Sequence, residues 1–271
     1  MEYFRLASGI EIPAVGSGTN SFAKVKGEVG STYDGHTDEV ISAIRAGYRF
    51  FDTAESYGNE EAIGNGIIES GIGRENIFIS TKMRTRIMGQ DTASWKPEDA
   101  VAAIERSLAK LKTEYIDLYL IHMPWGNDRE TAEIWKVLED YFERGVLKAI
   151  GVSNFTIDEL RPLMDSCRIR PMVDQIKIAP GRWNEDTVNF CQYNGIVPMA
   201  WGPLSFDTDR KPLQAIGDRY GKSWAQVVLR RDFQRGIVTI PKSHSFQHQK
   251  DNLEIFDFEL TEKEIEEIRQ I

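Results

Sequence analysis

VGSGTNSF, residues 15–22, forms the turn after the first buried apolar run, and its reading decides the fold. A doubly wound sheet that grips a dinucleotide would carry G-x-G-x-x-G here, with a third glycine for close helix–strand packing. Gly16 and Gly18 are present, but that third glycine is not. An open sheet is therefore the weaker reading. Outward from this turn, short apolar runs recur at 14–18, 49–52, 77–82, 116–122, 149–153, 172–176, 197–201 and 237–241. Between them lie amphipathic segments such as 97–111, with Pro97 at the first helical position and Val101, Ile104, Leu108 and Leu111 on one face. Eight strand–helix units predict a parallel sheet of the α/β class. Closure into a (β/α)8 TIM barrel leaves that sheet no open edge. Ahead of it, residues 3–13 alternate around Ser8 and Gly9 and predict a β-hairpin plugging one barrel mouth.

With 271 residues, 41% hydrophobic and 10% aromatic, the chain can bury a large core. No Pro-, Gly- or Ser-rich linker divides it, so residues 1–271 read as a single barrel domain. The net charge of −9 argues against general affinity for nucleic acid or anionic membranes, which requires clustered Lys and Arg. Any phosphate site must be local. No apolar run reaches membrane-spanning length, and the opening MEYFRLASG is too mixed for a signal, so the expected setting is the cytoplasm. Cys167 and Cys191, both in segments that read as helix, form neither a disulfide framework nor a metal pattern and are expected to be packing residues.

Residues 50–60, FFDTAESYGNE, read as a buried strand leaving into a site loop. In a barrel such loops collect at one rim, so Asp52 and Tyr57 can face one cleft. Lys82 ends the next run, FISTK, and His122 ends IDLYLIH. An ammonium beside the Tyr57 phenol would lower its pKa from the ordinary value near 10 and make it a proton donor to a carbonyl oxygen. Asp52 would hold that lysine, and His122 would orient the carbonyl. A lone loop tyrosine is ordinarily packing and a strand-end aspartate ordinarily a cap. Convergence of all these groups on one rim is what favours chemistry, with neither a nucleophile nor a metal in the group.

Later strand ends carry groups suited to a nicotinamide. Ser153 and Asn154 in AIGVSNF and Gln175 in VDQIKI offer hydroxyl and amides for a carboxamide, and Trp201 in MAWGPL offers a flat face. Lys242 and Ser243 in IPKS stand where the last strand meets a helix start, a usual phosphate location on a barrel.

Taken together, FFDTAESYGNE, LYLIHMP, IGVSNF and IPKS, in this order and spacing, resemble the aldo-keto reductase family over nearly the whole chain. The similarity is to short bacterial members acting on diketo-sugar acids and small aldehydes. It implies a barrel that binds NADPH in an extended form and reduces a small-molecule aldehyde or ketone. By matching motif it makes Tyr57 the proton donor, Lys82 and Asp52 its tuning pair, and His122 the orienting residue. It places Gly18, Thr19, Ser153, Asn154, Gln175 and Trp201 around the cofactor, with Gly202 and Leu204 along the pyrophosphate. Lys242 and Ser243 would hold the 2′-phosphate, and Asp251 and Asn252 the adenine.

Departures from the family pattern carry expectations of their own. Trp201 replaces a frequent tyrosine, and Asp174 and Lys177 stand where Asn and Glu are common. His248 stands where an arginine commonly grips the 2′-phosphate, so use of NADH beside NADPH is expected. Asn20 replaces a frequent tryptophan in the substrate loop, leaving Phe22 or Trp125 as the apolar wall. The chain ends soon after the helical segment 262–269, which implies an open pocket, and the protein is expected to act as a monomer. Two other readings are a catalytically weak nicotinamide-binding regulatory subunit and a metal-dependent barrel hydrolase. The strand ends lack the clustered His and Asp that the hydrolase needs.

Overall fold

The computed structural model describes residues 2–28, 32–84, 95–124 and 127–271. Strands β1 (Tyr3–Arg5) and β2 (Glu11–Pro13) form the expected antiparallel hairpin, Phe4 pairing with Ile12. The other strands are β3 (Ser17–Gly18), β4 (Phe50–Asp52), β5 (Phe78–Met83), β6 (Leu118–Ile121), β7 (Ile150–Ser153), β8 (Val173–Lys177), β9 (Val197–Trp201) and β10 (Val238–Ile240). They form one eight-stranded parallel sheet in chain order. Its two ends meet: Val15 bridges Thr239 in parallel, and the Gly18 amide donates to Pro241 O at 3.1 Å. A side chain at Gly18 would place its Cβ 2.8 Å from Ile240 O, so glycine is what lets β3 approach β10 and complete the barrel.

Around the barrel lie α1 (Asp38–Ala46), α2 (Glu60–Glu69), α3 (Pro97–Leu111), α4 (Asp128–Glu143) and α5 (Ile157–Ser166). They are followed by α6 (Glu185–Tyr193), α7 (Lys211–Gly217), α8 (Trp224–Gln234), α9 (Phe246–Leu253) and α10 (Glu262–Arg269). Helix starts are specified locally: Thr156, Ser223 and Thr261 each form a capping box with the Glu or Gln three residues on. The strands are buried on both faces, as a helix-covered parallel sheet requires, and their aliphatic and aromatic residues join the helices' inner faces in the core. The hairpin buries Leu6 and Ile12 and sets Phe4 5.7 Å from Phe233, at the C-terminal end of α8 that leads into β10. It therefore sits where the strands begin, and the loops after the strands are left open at the other mouth.

The sequence misplaced a few boundaries. The run 14–18 divides into the Val15 bridge and the two residues of β3. Lys82 does not end its strand, which continues to Met83, while His122 lies just past β6. Cys167 is not helical; its extended backbone (φ −87°, ψ 153°) terminates α5. Cys191 is buried within α6.

Candidate active site

The barrel strands end at one mouth, where the last residues of β3, β4, β7, β8, β9 and β10 and the residue after β6 line a cavity of about 870 Å³. Asp52, at the end of β4, is 2% exposed. Its Oδ1 accepts from Ser80 Oγ at 2.5 Å and Gln175 Nε2 at 2.8 Å, and its Oδ2 accepts from Lys82 Nζ at 2.6 Å. Lys82 is wholly buried and also donates to Thr53 O at 2.8 Å and to the Tyr57 hydroxyl. Burial alone would lower its pKa, but the Asp52 charge and then Tyr57 outweigh that and hold it raised. Lys82 is therefore a protonated ammonium at the base of the site.

Tyr57 closes a single 3-10 turn, Glu55–Tyr57, ended by Gly58 at φ 72°. The Glu55 carboxylate fixes this turn by accepting from the Arg84 amide at 3.1 Å and from Arg106 at 2.7 and 3.0 Å. Across the cavity floor the Tyr57 ring meets His122 edge-on, with centroids 5.7 Å apart. His122 is 7% exposed, and its Nδ1 lies 3.3 Å from Ser56 Oγ. Burial, then the Lys82 charge, pushes its pKa down to about 3, so the imidazole is neutral at physiological pH. One sequence expectation is corrected here. Lys82 does pull the Tyr57 pKa down, but burial pushes it up more strongly and Asp52 adds to the rise, so the net shift is upward.

Beside this group lie the residues of the later strands. Ser153 Oγ donates to Gln175 O at 2.8 Å. Asn154 follows in the left-handed region at φ 61°, which asparagine tolerates better than most residues. Its amide nitrogen donates to His122 O at 3.2 Å and Ser153 Oγ at 3.0 Å, while its oxygen accepts from Trp201 Nε1 at 2.8 Å. The Trp201 indole remains 37% exposed, and Gly202, Leu204 and Lys242 continue the cavity wall.

The four residues proposed for proton handling are thus brought together, and Gly18, Thr19, Asn20, Ser153, Asn154, Gln175, Trp201, Gly202, Leu204 and Lys242 line the same cavity. Ser243, His248, Asp251 and Asn252 are not among its lining residues. The Ser243 hydroxyl accepts from the Ser245 amide at 3.1 Å, at the start of α9. His248 and Asp251 lie on α9, and Asn252 turns inward to hydrogen-bond the Tyr48 hydroxyl. Phe22 does not wall the cavity: it is fully buried in the core, its ring tilted against His244 with centroids 5.6 Å apart. Trp125 lies outside the described residues. Lys177, Phe206 and Arg210 also line the cavity without having been singled out for it. For Lys177 a signal existed, because strand alternation puts it on the same face as Gln175 two positions earlier.

The sequence profile of the Aldo/keto reductase family matches residues 14–271. The chain belongs to the aldo/keto reductase family. As an aldo/keto reductase it is 40% identical to the glyoxal reductase of Bacillus subtilis (strain 168), over 97% of this chain and 90% of that protein. It is 42% identical to the 9,11-endoperoxide prostaglandin H2 reductase of Trypanosoma cruzi (strain CL Brener), over 84% of this chain and 80% of that one. Among solved structures, a Brucella melitensis aldo/keto reductase superposes with a TM-score of 0.89 at 33% identity, covering 99% of this chain and 98% of that one. A Bombyx mori aldo-keto reductase in complex with NADP superposes with a TM-score of 0.88 at 33% identity, covering 99% and 92%. The protein is thus an oxidoreductase of the aldo/keto reductase family. The regulatory-subunit reading finds no support among relatives named as reductases and dehydrogenases. The cavity fits the cofactor chemically: hydroxyl and amide groups and the exposed Trp201 line it, and so does Lys242 at the strand–helix junction.

Asp174 explains one departure from the aldo/keto reductase pattern. It is fully buried behind β8, with Cys191 Sγ 4.0 Å from its Oδ2 and no partner for its Oδ1. Burial drives its pKa well above the ordinary value, against a hydrogen bond from the Phe155 backbone that lowers it, and so favours the protonated form. A folded pKa above the unfolded one means the folded state binds more protons, so this residue's contribution falls as pH rises from about 4 through the folded pKa. Asp174→Asn is expected to raise the urea midpoint, by more at pH 8 than at pH 5. Equal gains at both pH values would refute the protonated state.

Proposed function

We propose that this chain reduces small aldehydes and ketones, with Tyr57 as proton donor, Lys82 and Asp52 as its tuning pair and His122 as the group that orients the carbonyl. The observation that carries this reading is the continuous hydrogen-bonded chain from Asp52 through Lys82 to the Tyr57 hydroxyl, ending at a cavity floor shared with His122. When bound, reduced nicotinamide supplies the hydride. Ser56 Oγ lies 3.3 Å from Nδ1, and in the tautomer where it donates there the ring proton of His122 sits on Nε2 and can donate to the carbonyl oxygen. Tyr57 then releases its proton to that oxygen as negative charge develops there, and the nearby ammonium stabilises the phenolate left behind. Because Lys82 is already paired with Asp52, little reorganisation accompanies the transfer.

In the same reading Gly18, Thr19, Ser153, Asn154, Gln175 and Trp201 surround the nicotinamide end. Gly202 and Leu204 follow the pyrophosphate, Lys242, Ser243 and His248 hold the 2′-phosphate, and Asp251 and Asn252 mark the adenine end. Residues 1–271 act as one domain, as a monomer, in the cytoplasm, where NADPH is plentiful. Asn20 borders the substrate, and its small polar side chain leaves room for compact carbonyls. The name of the Bacillus subtilis relative points the same way, toward small α-dicarbonyls.

The test is NADPH oxidation followed by absorbance over a panel of glyoxal, nitrobenzaldehyde, diketo-sugar acids and bulky ketones. The highest kcat/KM is expected on the compact carbonyls. An imidazole at position 248 lacks the forked donors with which a guanidinium grips phosphate, so the ratio of kcat/KM for NADPH over NADH is expected to stay below about a thousandfold. Equal turnover of bulky ketones would overturn the substrate class, and a larger ratio would overturn the cofactor expectation.

A further inference from the structure

Lys177 lines the cavity yet takes no part in the proton-transfer group. It stands at the end of β8 in register with Trp201 at the end of β9, so the two side chains leave the sheet at the same height. The ammonium lies 5.0 Å from the indole centroid. It donates to Gly202 O at 2.9 Å and to Ser205 O at 2.7 Å. Gly202 O also accepts the Ser205 amide at 3.0 Å, so one cation ties both ends of the turn that follows Trp201. Gly202 sits at φ +57°, and a Cβ there would come within 2.8 Å of Lys177 Nζ. Glycine at 202 therefore answers two needs at once, the left-handed backbone and the space the ammonium occupies.

The indole is held at its nitrogen as well, since Trp201 Nε1 donates to Asn154 Oδ1 at 2.8 Å. Asn154 is in turn tied to His122 O and Ser153 Oγ. Trp201 is thus braced from two sides while it remains 37% exposed and lines the cavity. A flat side chain fixed before a ring arrives loses less freedom when the ring stacks on it. Asp207 favours the charge on Lys177 and Arg182 opposes it, while the direct bonds of the ammonium go to the turn. A carboxylate there would face the two carbonyl oxygens of Gly202 and Ser205 with no proton to offer, so the ammonium and the turn go together.

We propose that Lys177 is a positioning residue for NADPH: by clamping the 202–205 turn and bracing Trp201, it holds the indole ready to stack on the cofactor. The proposal rests on the reading of Trp201 as the stacking surface, and the experiment separates the two. NADPH is titrated into wild type, Lys177→Met, Lys177→Arg, Trp201→Ala and the Lys177→Met/Trp201→Ala double variant, with the cofactor's own emission as signal. Dissociation rates come from stopped-flow displacement. Lys177→Met is expected to raise Kd by about tenfold, mostly through faster dissociation, as affinity changes at one site usually are. The penalty should fall on Kd and on KM for NADPH more than on kcat, and Lys177→Arg, which restores a cation and donors, should recover most of it.

A lysine acting through the indole loses its effect when the indole is gone. In the Trp201→Ala background Lys177→Met is therefore expected to cost less than about threefold, the signature of coupled sites. A Kd for Lys177→Met within about twofold of wild type, or the same penalty with and without the indole, would overturn the proposal. Failure of Trp201→Ala to weaken binding at all would instead remove the stacking role it rests on. Should Lys177→Met not fold, Lys177→Gln, which can satisfy only part of the turn, serves the same comparison.

Discussion

Tyr57→Phe is expected to lower kcat by about three orders of magnitude or more while the Kd for NADPH moves by less than about threefold. The substitution removes one oxygen and keeps the ring. Its edge-on contact with His122 survives, and so do the Lys82 bonds to Asp52 and Thr53 O. Only the donor of the proton is lost. The upward shift of the Tyr57 pKa matters to how the loss shows itself. A phenol held above its ordinary value stays protonated throughout the neutral range, which is the form a proton donor needs. His122, pushed down to about 3, stays neutral through the same range. The pH profile of kcat for carbonyl reduction is therefore expected to be flat from about pH 5 to 9, with neither group titrating inside it. Single-turnover measurement with preloaded NADPH separates chemistry from product release. If Tyr57→Phe kept a tenth or more of the wild-type single-turnover rate, another acid would have to supply the proton.

That upward shift also marks what a sequence can and cannot tell. Eight apolar runs placed the strands to within a few residues, because a strand buried on both faces must be nearly all apolar. The polar residues closing those runs had to meet at one mouth: Asp52 and His122 line its cavity, and Lys82 lies buried beneath, bonded to Asp52. The sign of Lys82's effect on Tyr57 was readable from charge alone. The size of the opposing desolvation was not, since it depends on how completely neighbouring loops cover the phenol. Phe22 was misread for a related reason: an aromatic residue in a long loop looks available to a pocket, but here the loop folds it under His244 into the core. Asn252 likewise gives no sequence sign that it faces Tyr48. For Lys177, strand alternation gives the face but not the partners: the two carbonyl oxygens that accept from its ammonium belong to the turn after Trp201, whose shape the sequence does not specify.

Lys82→Met carries the other large effect, and it divides between stability and catalysis. Lys82 and Asp52 form a buried ion pair at 2.6 Å, with 0% and 2% side-chain exposure. Removing the cation leaves Asp52 buried with only Ser80 and Gln175 to donate to it. Breaking such a pair from one side typically costs about 3–5 kcal/mol, a large share of the roughly 5–15 kcal/mol by which a domain is stable. Lys82→Met is therefore expected to lower the urea midpoint sharply and to abolish most turnover, since Tyr57 loses the charge that stabilises its phenolate. In the double variant Asp52→Asn/Lys82→Met no uncompensated carboxylate remains. Neutral replacement of both partners is often close to thermodynamically neutral, so most of the lost stability should return. Activity should not return, because a recovered fold still has no ammonium beside the phenol. Recovery of both together would mean that the pair serves only to hold the barrel mouth in shape, and that Tyr57 needs no help in giving up its proton.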